Sequence, residues 1–415
     1  MKTQVLSFSF AAAMGGLFTL STFAADWPQW RGADRADHSP DTGLLKTWPD
    51  GGPKRVWMNT DVGLGYSGYA IVGGRLYTLG LRDGTEYLIA VDTKTGAEVW
   101  STKVGDRLEN RWGDGPRTTP SVDGDRIYAL GGLGELVCAR LSDGKELWSV
   151  SMTEDLGGKL PGWGYTESVL VDGDLVVCTP GGANGTLAAL DKMTSELRWQ
   201  TKGITADAHY SSPIVFEHDG KRQYAKLIEK QAFGVDAKTG DVLWTTDWPA
   251  GRTAVIPTPI YEDGLFYITS DYGAGSKQIR LDGTAEPEDV WSNKVMKNHH
   301  GGVIKVGDYL YGYSGGPGWV CQDWKTGEEI WANESLGKGA IHYADGMLYC
   351  LDENKGTVVL IEATPKGWNE KGRFTLDPQT KQRSSQGKIW THPVVVDGKL
   401  YLRDQELLYC YDVES

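Results

Sequence analysis

The sequence has no run of basic residues longer than two, and its formal net charge at pH 7 is −13. Proteins bind nucleic acid largely through clustered lysine and arginine side chains, so we expect no nucleic-acid partner. Beyond residue 20, no stretch approaches the about 18 consecutive apolar residues that a transmembrane helix needs. The mature chain is therefore predicted to have no membrane span.

Motifs of known chemistry are also missing. There is no His-Glu-x-x-His metal motif and no Cys-x-x-Cys-His haem attachment, so the sequence predicts neither a zinc protease nor a fused cytochrome. The Gly181-Gly182 and Gly315-Gly316 pairs are followed by no helix pattern, which indicates loops rather than phosphate-binding turns. No motif assigns a catalytic residue or a metal ligand, and enzymatic activity stays open.

The N-terminus has the pattern of a secretory signal peptide. Lys2 precedes an apolar or small stretch from Val5 to Leu20, and Thr22 and Ala24 supply small residues for a cleavage site. We predict a signal peptide over residues 1–24, with an uncleaved membrane anchor as the alternative. No cysteine follows the apolar stretch, so lipidation is not expected, and the mature protein is predicted to be periplasmic or secreted.

The cysteines give no clear disulfide pattern. They are odd in number, lie in apolar strand-like runs and fall in different parts of the chain, as small buried hydrophobic residues do. We predict five core thiols, with a disulfide between some pair as the alternative: Cys138, Cys178, Cys321, Cys350 and Cys410.

An internal repeat organises the chain, which is poor in Phe (8) but rich in Trp (17), Tyr (19) and Gly (55). In one unit, residues 119–148, four short apolar stretches are separated by turn residues such as Asp123-Gly124. The unit's hairpin recurs eight times at spacings of 38 to 52 residues, around Tyr77, Tyr128, Val177, Tyr224, Tyr267, Tyr311, Tyr349 and Tyr401. This spacing suits one four-stranded propeller blade per unit.

The chain ends indicate how the ring closes. The last unit stops at Ser415 without a closing tryptophan strand, whereas an orphan strand of that type, Arg55–Asn59, precedes the first unit. We predict an all-β, eight-bladed β-propeller over residues 55–415, closed by the N-terminal strand joining the last blade. Residues 25–54 are predicted to form an arm whose Trp27, Trp30 and Trp48 lie across a face of the disc.

The turns before the closing strands resemble a known family. Residues 90–100 (AVDTKTGAEVW), 234–244 (GVDAKTGDVLW) and 321–331 (CQDWKTGEEIW) resemble the tryptophan-docking motif of pyrroloquinoline-quinone (PQQ) propellers. This resemblance implies the fold rather than a cofactor. One branch of the family contains quinoprotein dehydrogenases, which hold PQQ and Ca²⁺, and another contains binding scaffolds such as the propeller subunit of the outer-membrane β-barrel assembly machinery. The chain lacks the adjacent cysteines of the first and the lipidated cysteine of the second.

The loops that lead into the innermost strands line the mouth of a propeller's channel. Aligning the units gives one such position per blade, and the set is unusually aromatic and cationic: Tyr66, Arg117, Thr166, Tyr210, Ile256, His300, Lys338 and Trp390. Five of the seven histidines also fall near these positions: His209, His299, His300, His342 and His392. Imidazole groups placed together in this way indicate a ligand site, although they also satisfy loop backbone.

We therefore predict a ligand-binding mouth formed by Tyr66, Arg117, Tyr165, His209, Tyr210, His299, His300, Lys338, Trp390 and His392. The hypothesised ligand is anionic or carbohydrate-like, with Arg117 and Lys338 supplying charge, and Tyr210 and Trp390 supplying stacking surfaces. The mouth-loop carboxylates of Asp114, Glu167 and Asp207 are candidates for a Ca²⁺ ligand or a base, without a choice among them.

The preferred interpretation is an exported scaffold that binds a small-molecule, protein or glycan ligand at the propeller face. The alternative is an alcohol or sugar dehydrogenase that uses PQQ and calcium. The sequence does not indicate the oligomeric state.

Overall fold

The computed structural model describes residues 26–248 and 254–415, and these residues form strands, turns and loops but no helix. The predicted signal peptide lies outside the described residues. No helix long and apolar enough to cross a membrane occurs in the described part of the chain.

Eight sheets form the blades, which confirms the predicted eight-bladed propeller. Two strands precede the first complete blade, β1 (His38–Ser39) and β2 (Lys54–Asn59). Blade 1 contains β3 (Ala70–Val72), β4 (Arg75–Arg82), β5 (Thr85–Asp92) and β6 (Glu98–Asp106), and blade 2 contains β7 (Ser121–Asp123), β8 (Arg126–Leu130), β9 (Glu135–Arg140) and β10 (Glu146–Ser151). Blade 3 contains β11 (Leu170–Asp172), β12 (Leu175–Cys178), β13 (Ala188–Asp191) and β14 (Leu197–Gln200), and blade 4 contains β15 (Ile214–His218), β16 (Lys221–Leu227), β17 (Gln231–Asp236) and β18 (Val242–Asp247).

Blade 5 contains β19 (Ile260–Glu262), β20 (Leu265–Ser270), β21 (Gly275–Arg280) and β22 (Glu288–Asn293), and blade 6 contains β23 (Val303–Val306), β24 (Tyr309–Ser314), β25 (Gly318–Asp323) and β26 (Glu329–Asn333). Blade 7 contains β27 (Gly339–Ala344), β28 (Met347–Asp352), β29 (Thr357–Glu362) and β30 (Glu370–Thr375), and blade 8 contains β31 (Val394–Val396), β32 (Lys399–Asp404) and β33 (Leu407–Asp412). The first strands of neighbouring blades contact one another, as β3 does with β7 and β27 with β31. These first strands therefore line the central channel.

The ring closes as the sequence predicts. Strand β2 pairs antiparallel with β33, so that Trp57 lies opposite Cys410 and Asn59 opposite Leu408. The last blade thus combines one N-terminal strand with three C-terminal strands. This pairing covers the edge that β33 would otherwise expose.

The docking turns join adjacent blades. In the first turn, the Asp92 carboxylate accepts hydrogen bonds from the backbone N–H and the hydroxyl of Thr95, each at 2.8 Å. Gly96 has φ +72°, and a Cβ there would lie 2.6 Å from the ring of Trp57 in blade 8. The Trp57 indole N–H donates to Thr93 O at 2.8 Å. Glycine therefore lets an indole of the preceding blade lie flat on the turn.

Core packing accounts for the repeated aromatic and cysteine residues. Seven hairpin tyrosines are almost wholly buried: Tyr77, Tyr128, Tyr224, Tyr267, Tyr311, Tyr349 and Tyr401. All five cysteines are buried, unpaired thiols.

The arm crosses the channel. Trp27 pairs with Ile71 through backbone hydrogen bonds in both directions at 2.7 Å, and β1 adds a fifth, parallel strand beside β27 of blade 7. Trp48 packs further out, against Tyr349 and Phe374. Residues 27–37, here called the plug, span the channel between these contacts.

Two arginines fasten the plug to the ring. Arg35 donates to the carbonyl oxygens of Ser168, Val169 and Pro213, in blades 3 and 4. Arg31 donates to Val303 O of blade 6 at 2.6 Å. Both arginine side chains are almost wholly buried. The plug therefore closes the channel at the level where the innermost strands begin.

Candidate ligand-binding site

Above the plug lies a cavity of about 220 Å³, here called the cup. Its walls come from the loops that lead into the innermost strands, and Trp30 of the plug contributes to its floor. The Trp30 indole N–H donates to Thr258 Oγ1 at 2.9 Å. This hydrogen bond holds the indole ring of the arm against blade 5. The cup is therefore incomplete without the arm.

Most of the predicted mouth residues meet in this cavity. Of the eight aligned positions, all except Lys338 line the cup, as do two further predicted histidines, His299 and His392. The repeat register thus places equivalent residues of successive blades around one axis.

Three predicted site residues lie elsewhere. The Lys338 ammonium donates to His299 Nδ1 at 2.7 Å and is not among the residues that line the cup. Tyr165 is buried between blades 2 and 3, where its hydroxyl donates to Pro180 O. His209 packs edge-on against Tyr210 but does not line the cup. Among the other histidines near the mouth, His342 is fully buried and bonds to Asp37 of the plug.

Aromatic side chains that the alignment did not select also line the cup: Trp30, Trp112, Trp163 and Tyr272. Trp112 and Trp163 belong to glycine-containing loops before the innermost strands of blades 2 and 3. Their position just before the aligned residues was the signal that could have revealed them.

The aromatic rings form a continuous wall. The Trp390 ring lies 4.9 Å from the Tyr66 ring and 6.3 Å from the Trp112 ring, centroid to centroid. On the other side, Trp163 packs edge-on against Tyr210 at 5.5 Å. Such walls favour ligands with a flat or apolar ring face.

Arg117 is the one lysine or arginine among the described lining residues. Its Nε donates to Trp163 O at 2.9 Å and one terminal nitrogen, Nη2, donates to Gly113 O at 2.7 Å. The guanidinium lies 5.1 Å from the centre of the Tyr66 ring. Within the described residues it forms no ion pair, and burial lowers the pKa of Arg117 without removing its charge at neutral pH.

The three histidines of the cup are neutral at pH 7. Burial, with the neighbouring His300 ring and the Lys338 ammonium opposing a second positive charge, lowers the pKa of His299 to about 2, and burial lowers that of His392 to about 4. Burial also lowers the pKa of His300. The His300 Nε2 lies 3.0 Å from a carboxylate oxygen of Glu353, which also accepts from the Trp390 indole at 3.2 Å.

The cup does not fit a calcium–quinone pair. Calcium takes oxygen ligands, mainly carboxylates and amides, and the described residues that line the cup include no Asp, Glu, Asn or Gln. The candidate carboxylates have other partners: Asp114 pairs with Arg107, Glu167 with Lys226, and Asp207 with Lys159. Within residues 26–248 and 254–415, no three His, Cys, Asp or Glu side chains cluster to hold a metal.

A serine-nucleophile interpretation also fails. Residues 312–316 have the Gly-x-Ser-x-Gly spacing, but Ser314 is fully buried at the end of β24 and its hydroxyl donates to Val295 O. The strand is followed by another strand rather than by the helix that a nucleophile turn requires.

The eight blades and their docking turns define a β-propeller of PQQ-like repeats. A family model described as outer membrane protein assembly factor BamB matches residues 82–333 and 280–366, and the chain belongs to this family.

Known relatives agree with this assignment. The outer membrane protein assembly factor BamB of Escherichia coli (strain K12) is 23% identical over 338 residues, which cover 77% of this chain and 79% of the relative. The crystal structure of BamB from Moraxella catarrhalis matches with a TM-score of 0.61 at 16% identity, covering 87% of this chain and 99% of that one. The quinohemoprotein alcohol dehydrogenase ADHIIG from Pseudomonas putida HK5 matches with a TM-score of 0.64 at 13% identity, covering 94% of this chain and 80% of that one. These two structural likenesses show a shared fold.

Proposed function

We propose that the chain is an exported binding scaffold whose cup holds one small anionic ligand. The observation that carries this proposal is Arg117, a cation among aromatic rings whose hydrogen-bond acceptors, in the described part of the chain, are backbone carbonyl oxygens. A partly buried charge is costly unless an opposite charge compensates it. A ligand carboxylate would provide that compensation.

The surroundings of Arg117 favour an anion further. The cup's histidines are neutral at pH 7, so the guanidinium sets the sign of the charge there. The chain as a whole carries −13, which makes this local positive charge distinctive. The plug closes one side of the channel, so the ligand enters and leaves through the mouth loops.

Location outside the cytoplasm is part of the proposal. It rests on the N-terminal pattern of residues 1–24 and on relatives that are outer membrane protein assembly factors by name. A dehydrogenase using PQQ and calcium is the less favoured alternative, because the described lining of the cup offers calcium no side-chain carboxylate or amide and the chain has no adjacent cysteine pair.

Calorimetric titration of the full chain tests the proposal. The panel contains small ring carboxylates, their methyl esters, and PQQ with and without Ca²⁺. Acids should bind better than their esters, and Arg117→Gln should weaken acid binding about tenfold or more, because a hydrogen-bonded charge contact is lost. The matched control is Arg140→Gln, which removes an exposed arginine paired with Asp143.

Two results would contradict the proposal. One is equal binding of acids and esters, or of the wild-type chain and Arg117→Gln. The other is calcium-dependent PQQ binding together with dye-linked alcohol oxidation, which would make the dehydrogenase the better assignment.

A further inference from the structure

The unpaired polar atoms of the residues that line the cup are of two kinds, donors and acceptors. On the blade 2 wall, the second terminal nitrogen of Arg117, Nη1, has no hydrogen-bond partner among the described residues. The indole N–H of Trp112, five residues earlier in the same loop, is buried and also has none. Both groups are donors, so this wall is suited to a hydrogen-bond acceptor such as a carboxylate.

The second group of unpaired polar atoms consists of hydrogen-bond acceptors. His300 has its Nε2 at 3.0 Å from the Glu353 carboxylate, and His392 has its Nε2 at 2.7 Å from His300 O. Oxygen acceptors at these distances place the proton on Nε2 in both rings, so Nδ1 is an unprotonated acceptor. Both Nδ1 atoms are buried and have no partner among the described residues. This wall is suited to a donor such as a hydroxyl group.

An aromatic surface connects the two walls. The Trp390 ring centroid lies 6.3 Å from that of Trp112 and 5.5 Å from that of His300. A flat ring lying along Trp390 would therefore be close both to a residue with an unpaired donor and to one with an unpaired acceptor. Aromatic rings prefer such offset or edge-on contacts.

Cavity size limits the ligand to about one ring. An engineered apolar cavity of about 150 Å³ in another protein accommodates benzene, and the cup measures about 220 Å³. The remainder suits two small substituents.

A polyhydroxylated sugar finds fewer partners. The Trp30 indole is bonded to Thr258, and the hydroxyl oxygens of Ser168 and Ser212 each accept one backbone N–H, which leaves each hydroxyl its O–H donor and one acceptor position fewer. A ring with many hydroxyl groups would leave several of them unpaired against aromatic walls, which is costly.

We infer that the ligand is a single-ring aromatic carboxylate with a hydroxyl group opposite the carboxylate, as in a phenolic acid. This inference rests on the proposed anion-binding function. The carboxylate accepts from Arg117 and Trp112, the ring lies on Trp390, and the hydroxyl donates to His300.

The test is calorimetric titration of the full chain with four probes: 4-hydroxybenzoate, benzoate, methyl 4-hydroxybenzoate and glucuronate. We expect 4-hydroxybenzoate to bind about fivefold tighter than benzoate, and about tenfold or more tighter than the ester and glucuronate. His300→Phe keeps a ring at this position but removes the acceptor, and should abolish the preference for 4-hydroxybenzoate over benzoate. Arg117→Gln should abolish only the preference for the acid over its ester.

The outcomes separate the two proposals. Glucuronate binding in preference to the benzoates, with loss in Arg117→Gln, would overturn the phenolic ligand while anion binding stands. Equal affinity of benzoate and 4-hydroxybenzoate would also overturn it. If none of the four probes binds, both the ligand class and the anion-binding cup are refuted.

Discussion

Replacing Arg35 with methionine should loosen the plug and destabilise the whole ring. The guanidinium donates to Ser168 O at 3.1 Å, Pro213 O at 2.7 Å and Val169 O at 2.6 Å. Methionine has a similar unbranched stem but no donor, so Arg35→Met leaves three carbonyl oxygens of blades 3 and 4 without these partners.

The expected cost follows from two of those oxygens, because Val169 O also accepts from the Ser121 hydroxyl at 2.7 Å. A buried polar group that loses its partner costs about 1–3 kcal/mol, which gives about 2–6 kcal/mol for two. Two effects reduce this range: water reaches part of the gap, and the variant no longer has to bury a charge, a burial that lowers the pKa of Arg35 to about 9. We therefore expect the lower end, a loss of about 2 kcal/mol in the free energy of unfolding.

Urea denaturation followed by tryptophan fluorescence measures this loss, and limited proteolysis of residues 26–53 reports whether the arm detaches. Arg75→Met is the matched control, because the Arg75 guanidinium donates to Ser142 O at the surface rather than to buried carbonyl oxygens of the ring. Equal stability and equal protease resistance of Arg35→Met and Arg75→Met would refute the assignment of Arg35 as the anchor of the plug.

Three smaller changes test the docking turns and the cup. Gly96→Ala should lower the free energy of unfolding, measured by urea denaturation, by about 1–3 kcal/mol more than Gly124→Ala. Both glycines have positive φ, but of the two only a Cβ at Gly96 would meet Trp57. Equal losses in the two variants would contradict this packing. Ser195→Gly should raise stability by about 0.5–1 kcal/mol, since Ser195 has φ +66°, and an unchanged urea midpoint would count against strain there. His392, with its pKa lowered from 6.5 to about 4, stays neutral when folded but takes up a proton when unfolded below pH 6.5. Stability should therefore fall as pH falls from 6.5 to 4, less steeply in His392→Phe, and parallel slopes would contradict this.

The architecture was predictable because it repeats. Each docking turn needs an Asp, a Gly and a Trp at fixed spacing, so even incomplete copies identify their blades. The orphan strand containing Trp57 predicted closure for the same reason, since one unit lacked the strand that this segment supplied.

Parts of the site were not predictable because they depend on hydrogen-bond partners and loop conformations that no sequence pattern marks. Repeat alignment predicts Lys338 at the mouth, but its ammonium bonds to His299, a residue of another blade, and does not line the cup. Arg35 binds carbonyl oxygens, which every residue possesses, so no sequence signal marks its contacts. Trp112 and Trp163 precede the aligned positions, and the loop conformations that bring them inward are not periodic.

The pairing of β2 with β33 also has a consequence for how the molecule is made. Residues 54–59 are synthesised before any of the complete blades, yet their partner is β33, which follows every other strand in the described part of the chain. Blades 1 to 6 are complete in sequence long before this, while the orphan strand must wait until β33 is translated. The arm waits as well for blade 7, the partner of β1. Trp30 therefore reaches its final place only late in assembly, so that nascent or truncated chains would have folded blades without a finished cup.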